Sequence, residues 1–345
     1  MIDYPEKFEN EDQLEDYLSR PGEELIDMIG KTDGDIMILG ITGKIGPSLA
    51  LMAARACEKA GLKKKILGVS RHIDAQLQKN LDQAGIESVR GDLLDSEFLK
   101  RLPLFKNVFY LAGMKFGSAD DQPLTWAINT YLPGMVAGHF KNSRIVAFST
   151  GCVYPLVTPA SGGSLETDTP FAMGEYAQSC IGRERLFEYG SSKFGTQTIL
   201  LRLNYSVEMR YGVLSDIAVK VKNQIPVDLS MGYFNVIWQG DMNDLVLRSL
   251  NLGSSPAAIL NITGPETLSV RETAMQFGEY FGIAPVFINE EAPTALLNNA
   301  SRAFELLGKP KVAASQLIKW TAEWMKDNGR LLGKPTHFEV RDGIY

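Results

Sequence analysis

The chain has 345 residues, of which 45% are hydrophobic and 22% charged, as expected for a globular protein with one large or two closely packed domains. Its formal net charge of −6, without a clustered basic segment, argues against nucleic acid as a partner. Acidic residues follow Met1 where a secretory signal would be basic and then apolar, and no apolar run reaches the roughly 18 residues of a membrane span.

Residues 1–33 precede the first strongly apolar strand and carry spaced apolar residues among many acids. A break at Pro21 and Gly22 predicts one or two amphipathic helices. We expect this N-terminal helical extension either to cover an edge of the sheet or to meet a partner.

Residues 35–50 form the stretch around which the rest is organised. A short apolar run ends in Gly40, Gly43 and Gly46, at the spacing G-x-x-G-x-x-G, and predicts a buried strand that turns into a helix. Glycines allow a tight turn, close approach of a pyrophosphate, and close packing of helix on strand. The free N–H groups of a helix starting near Lys44 then face the phosphates. The alternative is an ordinary strand-turn-helix corner.

Apolar strands and helices alternate as far as residue 204, which is typical of a doubly wound parallel α/β sheet. Strands are predicted at about 35–40, 65–70, 86–90, 107–111, 144–149 and 197–203, and helices at 47–60, 73–84, 95–101, 124–141 and 174–190. We assign 34–204 to a nucleotide-binding domain with returning segments near 234–262, and 205–345 mainly to a smaller substrate lobe. The substrate is expected between them, outside the carboxyl ends of the strands.

Cysteine and histidine are few and scattered. The residues are Cys57, Cys152, Cys180, His72, His139 and His337. An odd number of cysteines without a C-x-x-C pair favours a reducing compartment, so we predict a cytoplasmic protein with no metal site.

An ordered set of short motifs resembles the extended short-chain dehydrogenase/reductase family, the epimerases and dehydratases of nucleotide sugars, from about residue 35 to 328. The matching segments are the glycine loop, 91–93, 108–113, Asn129, 148–155, Tyr176, 201–204, 236–241, 261–264 and 299–308. The resemblance implies a Rossmann sheet with a C-terminal substrate lobe, and an NAD(P) cofactor. The implied cofactor-binding residues are Gly40, Thr42, Gly43, Lys44, Ile45, Gly46, Ser70, Arg71, Asp92, Leu93, Leu111, Ala112 and Gly113.

Simpler interpretations exist for some of these residues. Asp92 is also placed to cap the helix that follows, and segment 111–113 is also consistent with a plain strand end. Asn129, as in the family, is expected to satisfy local backbone groups.

The resemblance also implies catalytic residues, and here the pattern changes. Thr150 takes the family's Ser/Thr position, and Tyr176 follows 26 residues later as the proton-transferring tyrosine. The lysine expected four residues after the tyrosine is replaced by Cys180. Lys115 is one candidate for the missing charge, the alternative being a solvated surface lysine. For Cys180 the alternatives are a reactive thiol and a small buried hydrophobic residue.

Loss of the lysine affects the two directions of reaction unequally. A nearby cation lowers the pKa of an acid by roughly 1–3 units, and 3 units correspond to roughly 4 kcal/mol. Alcohol oxidation, which needs the phenolate, should therefore be slow near pH 7, whereas carbonyl reduction uses the neutral phenol. Gly151 and Cys152 occupy the positions of the acids that dehydratases require, so dehydration is disfavoured.

Ser70 and Arg71 end the second strand where NAD-dependent members place an Asp, and an Arg there suits a 2′-phosphate, which favours NADP. The leading hypothesis is an NAD(P)-dependent oxidoreductase or epimerase acting on a sugar, sugar acid or nucleotide sugar. The alternative is a non-catalytic NAD(P)-binding protein, a sensor or cofactor-stabilised subunit. A homodimer through helices 124–141 and 174–190 is also expected, and the segment 205–235 carries no motif that identifies the substrate.

Overall fold

A computed structural model describes residues 4–344, and its centre is one parallel sheet of seven strands in the order β11-β6-β5-β4-β1-β2-β3. The strands are β1 (Ile36–Leu39), β2 (Ile66–Ser70), β3 (Glu87–Arg90), β4 (Asn107–Tyr110), β5 (Arg144–Thr150), β6 (Thr198–Leu203), β7 (Ser206–Val207), β8 (Val227–Asp228), β9 (Tyr233–Phe234), β10 (Ile237–Trp238), β11 (Ala258–Ile262), β12 (Leu268–Ser269) and β13 (Phe287–Ile288). The short strands pair as β7 with β10, β9 with β12, and β8 with β13.

Helices cover both faces of the sheet. They are α1 (Glu11–Leu18), α2 (Glu23–Lys31), α3 (Gly46–Lys59), α4 (Ala75–Gln83), α5 (Ser96–Arg101), α6 (Gln122–Trp126), α7 (Leu132–His139), α8 (Gly174–Phe194), α9 (Val213–Lys222), α10 (Gln239–Arg248), α11 (Val270–Phe281), α12 (Ser301–Leu307) and α13 (Ala314–Lys326). None of these described helices is long and apolar enough to cross a membrane.

Alternate side chains of β1 enter two different cores, as the period of two in a strand requires. Ile36 and Ile38 pack with α2, α3 and α10 on one face of the sheet. Met37 and Leu39 pack with α5, α7 and α8 on the other face. The doubly wound fold class predicted from the apolar alternation is therefore confirmed.

The predicted helix 124–141 is interrupted in the structure. A π-helical turn, Ala127–Tyr131, separates α6 from α7. Pro133 lies in the first turn of α7 and has no N–H to donate to the carbonyl of Asn129 four residues earlier. Because this carbonyl lacks its usual helical donor, the single helix expected from apolar spacing does not form.

A third core lies in the second lobe, among α9, α11 and α13. The extension contributes to it, since Leu14 and Leu18 of α1 are buried there, whereas α2 packs against the sheet-side helices α3 and α10. The expected covering of a sheet edge is wrong: the extension lies across helices that belong to both lobes.

The segment 327–344 runs back over the second lobe toward the carboxyl ends of the sheet strands. Arg341 Nη1 donates to the carbonyl of Thr294 at 2.6 Å, and Phe338 is buried beside Phe234. The Thr336 hydroxyl donates to Asp216 at 2.6 Å. These contacts place Thr336 beside the cavity described below.

Candidate active site

The three glycines of the loop differ in whether the fold itself requires a residue without a side chain. Gly40 has φ +93°, and a Cβ there would lie 2.7 Å from the Ala112 nitrogen; a Cβ on Gly46 would lie 2.2 Å from the Ile41 carbonyl oxygen. A Cβ on Gly43 would meet nothing closer than the Gly40 oxygen at 3.4 Å, and Gly43 is exposed. The fold therefore requires Gly40 and Gly46, whereas Gly43 leaves space at the surface of the loop.

That space belongs to a groove of about 1650 Å³ that runs along the length of α3 and onto α4. Of the predicted cofactor residues, Thr42, Gly43, Lys44 and Gly113 line it. Its entrance at the α3 N-terminus offers backbone N–H groups that suit a pyrophosphate. The donor set and the open position at Gly43 fit a dinucleotide.

The remaining cofactor candidates lie at neighbouring strand ends. Ser70 and Arg71 follow β2, and Ser70 Oγ lies 2.5 Å from the hydroxyl of Thr42 in the glycine loop. Arg71 is exposed. The predicted residues at the ends of β2 and β3 do not line the groove; they are Ser70, Arg71, Asp92 and Leu93. Ile45 and Leu111 line a smaller inner cavity, and Ala112 contacts the turn at Gly40.

Asp92 does not cap the helix that follows it. Asp95 is the N-cap of α5, and Asp92 Oδ1 instead accepts from the Leu94 nitrogen at 2.9 Å. Leu93 is buried beneath this turn. The capping alternative for Asp92 is therefore wrong, and its carboxylate stays at the exposed end of β3.

Lys44 joins the glycine loop to the second lobe. Its Nζ donates to the carbonyl oxygen of Ser206 at 2.8 Å and lies 3.6 Å from the ring centroid of Tyr211. Burial lowers the pKa of Lys44 to about 7, against the opposing effect of Glu208. Its side chain lines both the groove and the inner cavity.

The inner cavity, of about 270 Å³, opens from the groove at Lys44 and Gly113. The ends of β4, β5 and β6, the start of α8, and Thr336 form its walls. The predicted pair, Thr150 and Tyr176, both line it, and the Thr150 hydroxyl hydrogen bonds to the Tyr176 oxygen. The structure thus brings together the two residues that sequence spacing singled out.

Tyr176 stays protonated in this environment. Burial, followed by the neighbouring thiols of Cys180 and Cys152, raises the pKa of Tyr176 well above its usual value of 10.0. Arg183 and the hydrogen bond from Thr150 act in the opposite direction. A neutral phenol donates a proton and does not abstract one.

Cys180 is fully buried one turn after Tyr176, where the family has lysine. Burial raises the pKa of the Cys180 thiol to about 11, although a hydrogen bond with Tyr176 opposes this. A thiol in this state is a poor nucleophile near neutral pH. The packing of Cys180 with Val153 and Tyr154 agrees with the small hydrophobic interpretation.

Lys115 lies in the cavity wall, so the solvated surface lysine is not what the structure shows. Its Nζ donates to the Thr336 carbonyl at 3.3 Å and lies 5.8 Å from the ring centroid of Tyr176. Burial lowers the pKa of Lys115 below its usual value of 10.5.

Arg183 is a cavity residue that sequence reasoning missed. It is only 5% exposed, and its Nη2 donates to Asn129 Oδ1 at 2.6 Å. Asn129 in turn binds both backbone groups of Met114, as expected of a local structural residue. An arginine seven residues after the tyrosine, on the same helical face, was the available signal.

A second missed feature is a buried polar network under the cavity. Ser149 Oγ donates to Glu184 at 2.5 Å, and Arg202 binds both carboxylate oxygens of Glu184 at 2.9 and 2.7 Å. Arg202 also donates to Tyr154, whose hydroxyl donates to Asn261. The network holds α8 against β5, β6 and β11, and so fixes Thr150 relative to Tyr176.

Comparison with known proteins identifies the family and the fold. Residues 36–207 match the model of the NAD dependent epimerase/dehydratase family. Among curated proteins, none matches the chain in sequence.

Solved epimerase structures share the fold at low sequence identity. A UDP-glucose 4-epimerase from Thermotoga maritima, solved with UDP-glucose, is 17% identical with a TM-score of 0.69 over 85% of this chain and 99% of its own. A UDP-glucose 4-epimerase of Thermus thermophilus, solved with NAD, is 20% identical with a TM-score of 0.68 over 85% and 99%. A UDP-glucuronic acid 4-epimerase from Bacillus cereus, solved with UDP-glucuronic acid and NAD, is 16% identical with a TM-score of 0.68 over 85% and 99%.

Proposed function

Because the chain belongs to the NAD dependent epimerase/dehydratase family, we propose that it is an NAD(P)-dependent oxidoreductase or epimerase of a carbohydrate-derived carbonyl or hydroxyl compound. The observation that carries the proposal is the hydrogen-bonded pair of Thr150 and Tyr176 in a cavity that opens onto the glycine-loop groove. When bound, a nicotinamide cofactor supplies or accepts the hydride, and this chain supplies the proton and the hydrogen bonds.

Carbonyl reduction is the direction that the environment of Tyr176 supports. Thr150 orients the carbonyl oxygen, and the neutral phenol of Tyr176 gives it a proton. The reverse reaction needs the phenolate, which burial and two thiols disfavour. Dehydration lacks its acid pair, since Gly151 and Cys152 occupy those positions.

The cofactor proposal is NAD or NADP, with NADP favoured. Gly43, Lys44 and the α3 N-terminus provide the phosphate-binding features, and Arg71 is an exposed guanidinium at the end of β2. A guanidinium there matches a 2′-phosphate better than a free hydroxyl. The T. thermophilus and B. cereus structures contain NAD, and calorimetric titration with both dinucleotides tests the preference for NADP.

For the substrate we favour a sugar acid over a neutral sugar or a nucleotide sugar. Three cationic side chains, Lys44, Lys115 and Arg183, line the inner cavity, and no Asp or Glu is among the described residues that line it. A volume of about 270 Å³ suits a monosaccharide. Thr336 closes the wall on the side of the second lobe.

The rival proposal is a non-catalytic NAD(P)-binding protein, and Cys180 in place of lysine is the observation that favours it. The site residues Thr150 and Tyr176 weigh against it, since a sensor needs no proton donor.

Nicotinamide absorbance during incubation with matched carbonyl compounds tests the function. The purified protein is mixed with NADPH or NADH and with keto sugar acids, the corresponding neutral keto sugars, and nucleotide sugars. We expect turnover of keto acids, with slower or no turnover of their neutral partners. Dinucleotide binding without turnover of any compound contradicts the enzyme and supports the sensor.

We also propose a homodimer and a cytoplasmic location. Trp126, Tyr131 and Tyr189 are exposed aromatic residues on α6, the π turn and α8, whereas Val136 and Phe187 belong to the monomer core. The three unbridged cysteines favour a reducing compartment. Light scattering at micromolar concentration tests the dimer, and a mass near 38.1 kDa contradicts it.

A further inference from the structure

The face of α8 that carries Tyr176 also carries a cation, but not at the expected place. Tyr176, Cys180 and Arg183 are separated by four and three residues, so all three lie on one face of the helix. The residue one turn after the tyrosine has no charge, and the guanidinium comes from the next turn.

Three contacts hold the guanidinium at the wall of the cavity. Arg183 Nη1 donates to the Phe148 carbonyl on β5 at 2.9 Å, and Nη2 donates to Asn129 Oδ1 at 2.6 Å. A Cβ on Gly113 would lie 2.6 Å from Nη2, so only glycine at the end of β4 admits the side chain in this position. Arg183 therefore reaches the point where β4, β5 and α8 meet.

The broken helix between α6 and α7 supplies the third contact. Arg183 Nε lies 3.4 Å from the carbonyl of Asn129, the group whose helical donor is missing because Pro133 has no N–H. The π turn thus presents a backbone acceptor to Arg183 that a regular helix would have used internally.

The charge of Arg183 is not cancelled by a directly bound carboxylate. The acceptors of these three hydrogen bonds are neutral, and the adjacent Glu184 is paired with Arg202. A guanidinium keeps its charge at all accessible pH values and acts strongly where water is excluded. Its field lowers the pKa of both Tyr176 and Cys180, against the effect of burial.

We propose that Arg183 is the positioning cation of this site: it stabilises negative charge on the Tyr176 oxygen, in the role that a lysine at position 180 would otherwise fill. The inference rests on the proposed reductase or epimerase function. As hydride from a reduced nicotinamide adds to the carbonyl carbon, the Tyr176 O–H bond breaks. The proton goes to the carbonyl oxygen, the electron pair stays on the tyrosine, and Arg183 stabilises the resulting phenolate from below.

A titration of Tyr176 that needs neither cofactor nor substrate tests this role. Tyr176 is replaced by a fluorinated tyrosine, whose more acidic phenol titrates in an accessible range, and fluorine NMR follows its ionisation. The groups that face it are Cys152, Cys180, Lys115 and Arg183. Arg183→Gln should raise the titration midpoint by about 1–3 pH units, the range for loss of a neighbouring cation.

Matched variants separate charge from packing. Arg183→Lys, which keeps the charge, should shift the midpoint less than Arg183→Gln, and Cys180→Lys added to Arg183→Gln should restore it. Lys115→Gln tests a second cation of the cavity, whose Nζ lies 5.8 Å from the ring centroid of Tyr176. Thermal unfolding of each variant confirms a folded chain, and Arg183→Lys keeps the test usable if Arg183→Gln does not fold.

The result that overturns the inference is a midpoint that moves with Lys115→Gln and not with either Arg183 variant. Failure of the proposed function looks different, because it gives no turnover of any compound, with or without dinucleotide binding, whatever the fluorotyrosine midpoint is. Once a substrate is found, alcohol oxidation should lose at least about tenfold at pH 7 in Arg183→Gln, with its pH profile displaced to higher pH.

Discussion

The glycine-loop groove and the inner cavity meet at Lys44 and Gly113, but backbone shapes the loop end of the first and side chains shape the second. At the glycine loop the groove is shaped by backbone: one glycine with positive φ, one in contact with a neighbouring carbonyl, and one that leaves space. The cavity is formed by buried side chains whose positions depend on the Glu184–Arg202 pair and on Asn129. Backbone sites tolerate little variation in sequence, whereas a side-chain site can move a charge from one turn of a helix to the next.

The sharpest test of this division is Tyr176→Phe, which should lower kcat by about 10²–10⁴-fold because the proton donor is lost. Dinucleotide affinity should stay within about twofold, as the groove is untouched. Tyr189→Phe, on the exposed face of α8, is the control and should change neither. Activity that survives Tyr176→Phe would move the proton donor to Lys115 or to the second lobe.

Gly43→Val tests the glycine-loop groove as the dinucleotide site. A Cβ at this position lies no closer than 3.4 Å to a protein atom, but the branched side chain extends into the space left for a pyrophosphate. Dinucleotide affinity should therefore fall at least about a hundredfold, the equivalent of two lost contacts of ~1.5 kcal/mol. Calorimetry measures the affinity, and circular dichroism checks the fold. Gly138→Val, at an exposed helical position with open space, should bind normally. Unchanged affinity in Gly43→Val would remove the loop as the binding site.

A variant of Arg71 tests whether a side chain gives the glycine-loop groove its preference between NADPH and NADH. If its guanidinium meets a 2′-phosphate, wild type should prefer NADPH over NADH by about tenfold or more, since a charge-assisted hydrogen bond contributes ~1.5–3 kcal/mol. Arg71→Ser should abolish the preference, while Arg101→Ser, at another exposed arginine, should keep it. Equal binding of both cofactors by wild type would leave Arg71 a solvated side chain.

Lys44 lines both the groove and the cavity. For this residue we predict an uptake of at most one proton when the dinucleotide binds. With a pKa of about 7, Lys44 is largely neutral at pH 8, and bound phosphates should raise that pKa. Binding at pH 8 should therefore take up a fraction of a proton, and affinity should fall as pH rises above 7. Calorimetry in buffers of different ionisation enthalpy measures the uptake. Lys44→Met should lose it and Lys63→Met retain it; equal uptake in both variants contradicts the assignment.

Sequence reasoning succeeded where local pattern decides structure. Strand periodicity located the six predicted strands of the Rossmann sheet, and the G-x-x-G-x-x-G spacing located the groove. The pairing of Thr150 with Tyr176 followed from family spacing along β5 and α8. These features depend on residues that are near in sequence or repeat with a fixed period.

Sequence reasoning failed where contacts between residues far apart in the chain determine the structure. Arg183 is visible seven residues after Tyr176, but its place at the cavity could not be predicted, because that place depends on Gly113 making room and on Asn129 offering a carbonyl. The burial of Lys115 depends on Thr336, more than two hundred residues away. A helix interrupted by a π turn has the same apolar spacing as an unbroken one, so the break could be inferred only from Pro133.

The interrupted helix also has an evolutionary consequence. Pro133 frees the Asn129 carbonyl and Gly113 leaves room for the guanidinium, so the position of Arg183 depends on both, while Cys180 leaves the position one turn after Tyr176 without a charge. A change at Pro133 or Gly113 should therefore disturb the position of Arg183. Among relatives of this chain, we expect the residues at these positions and at 183 to change together. Relatives that have lysine at position 180 should not need the arginine at position 183.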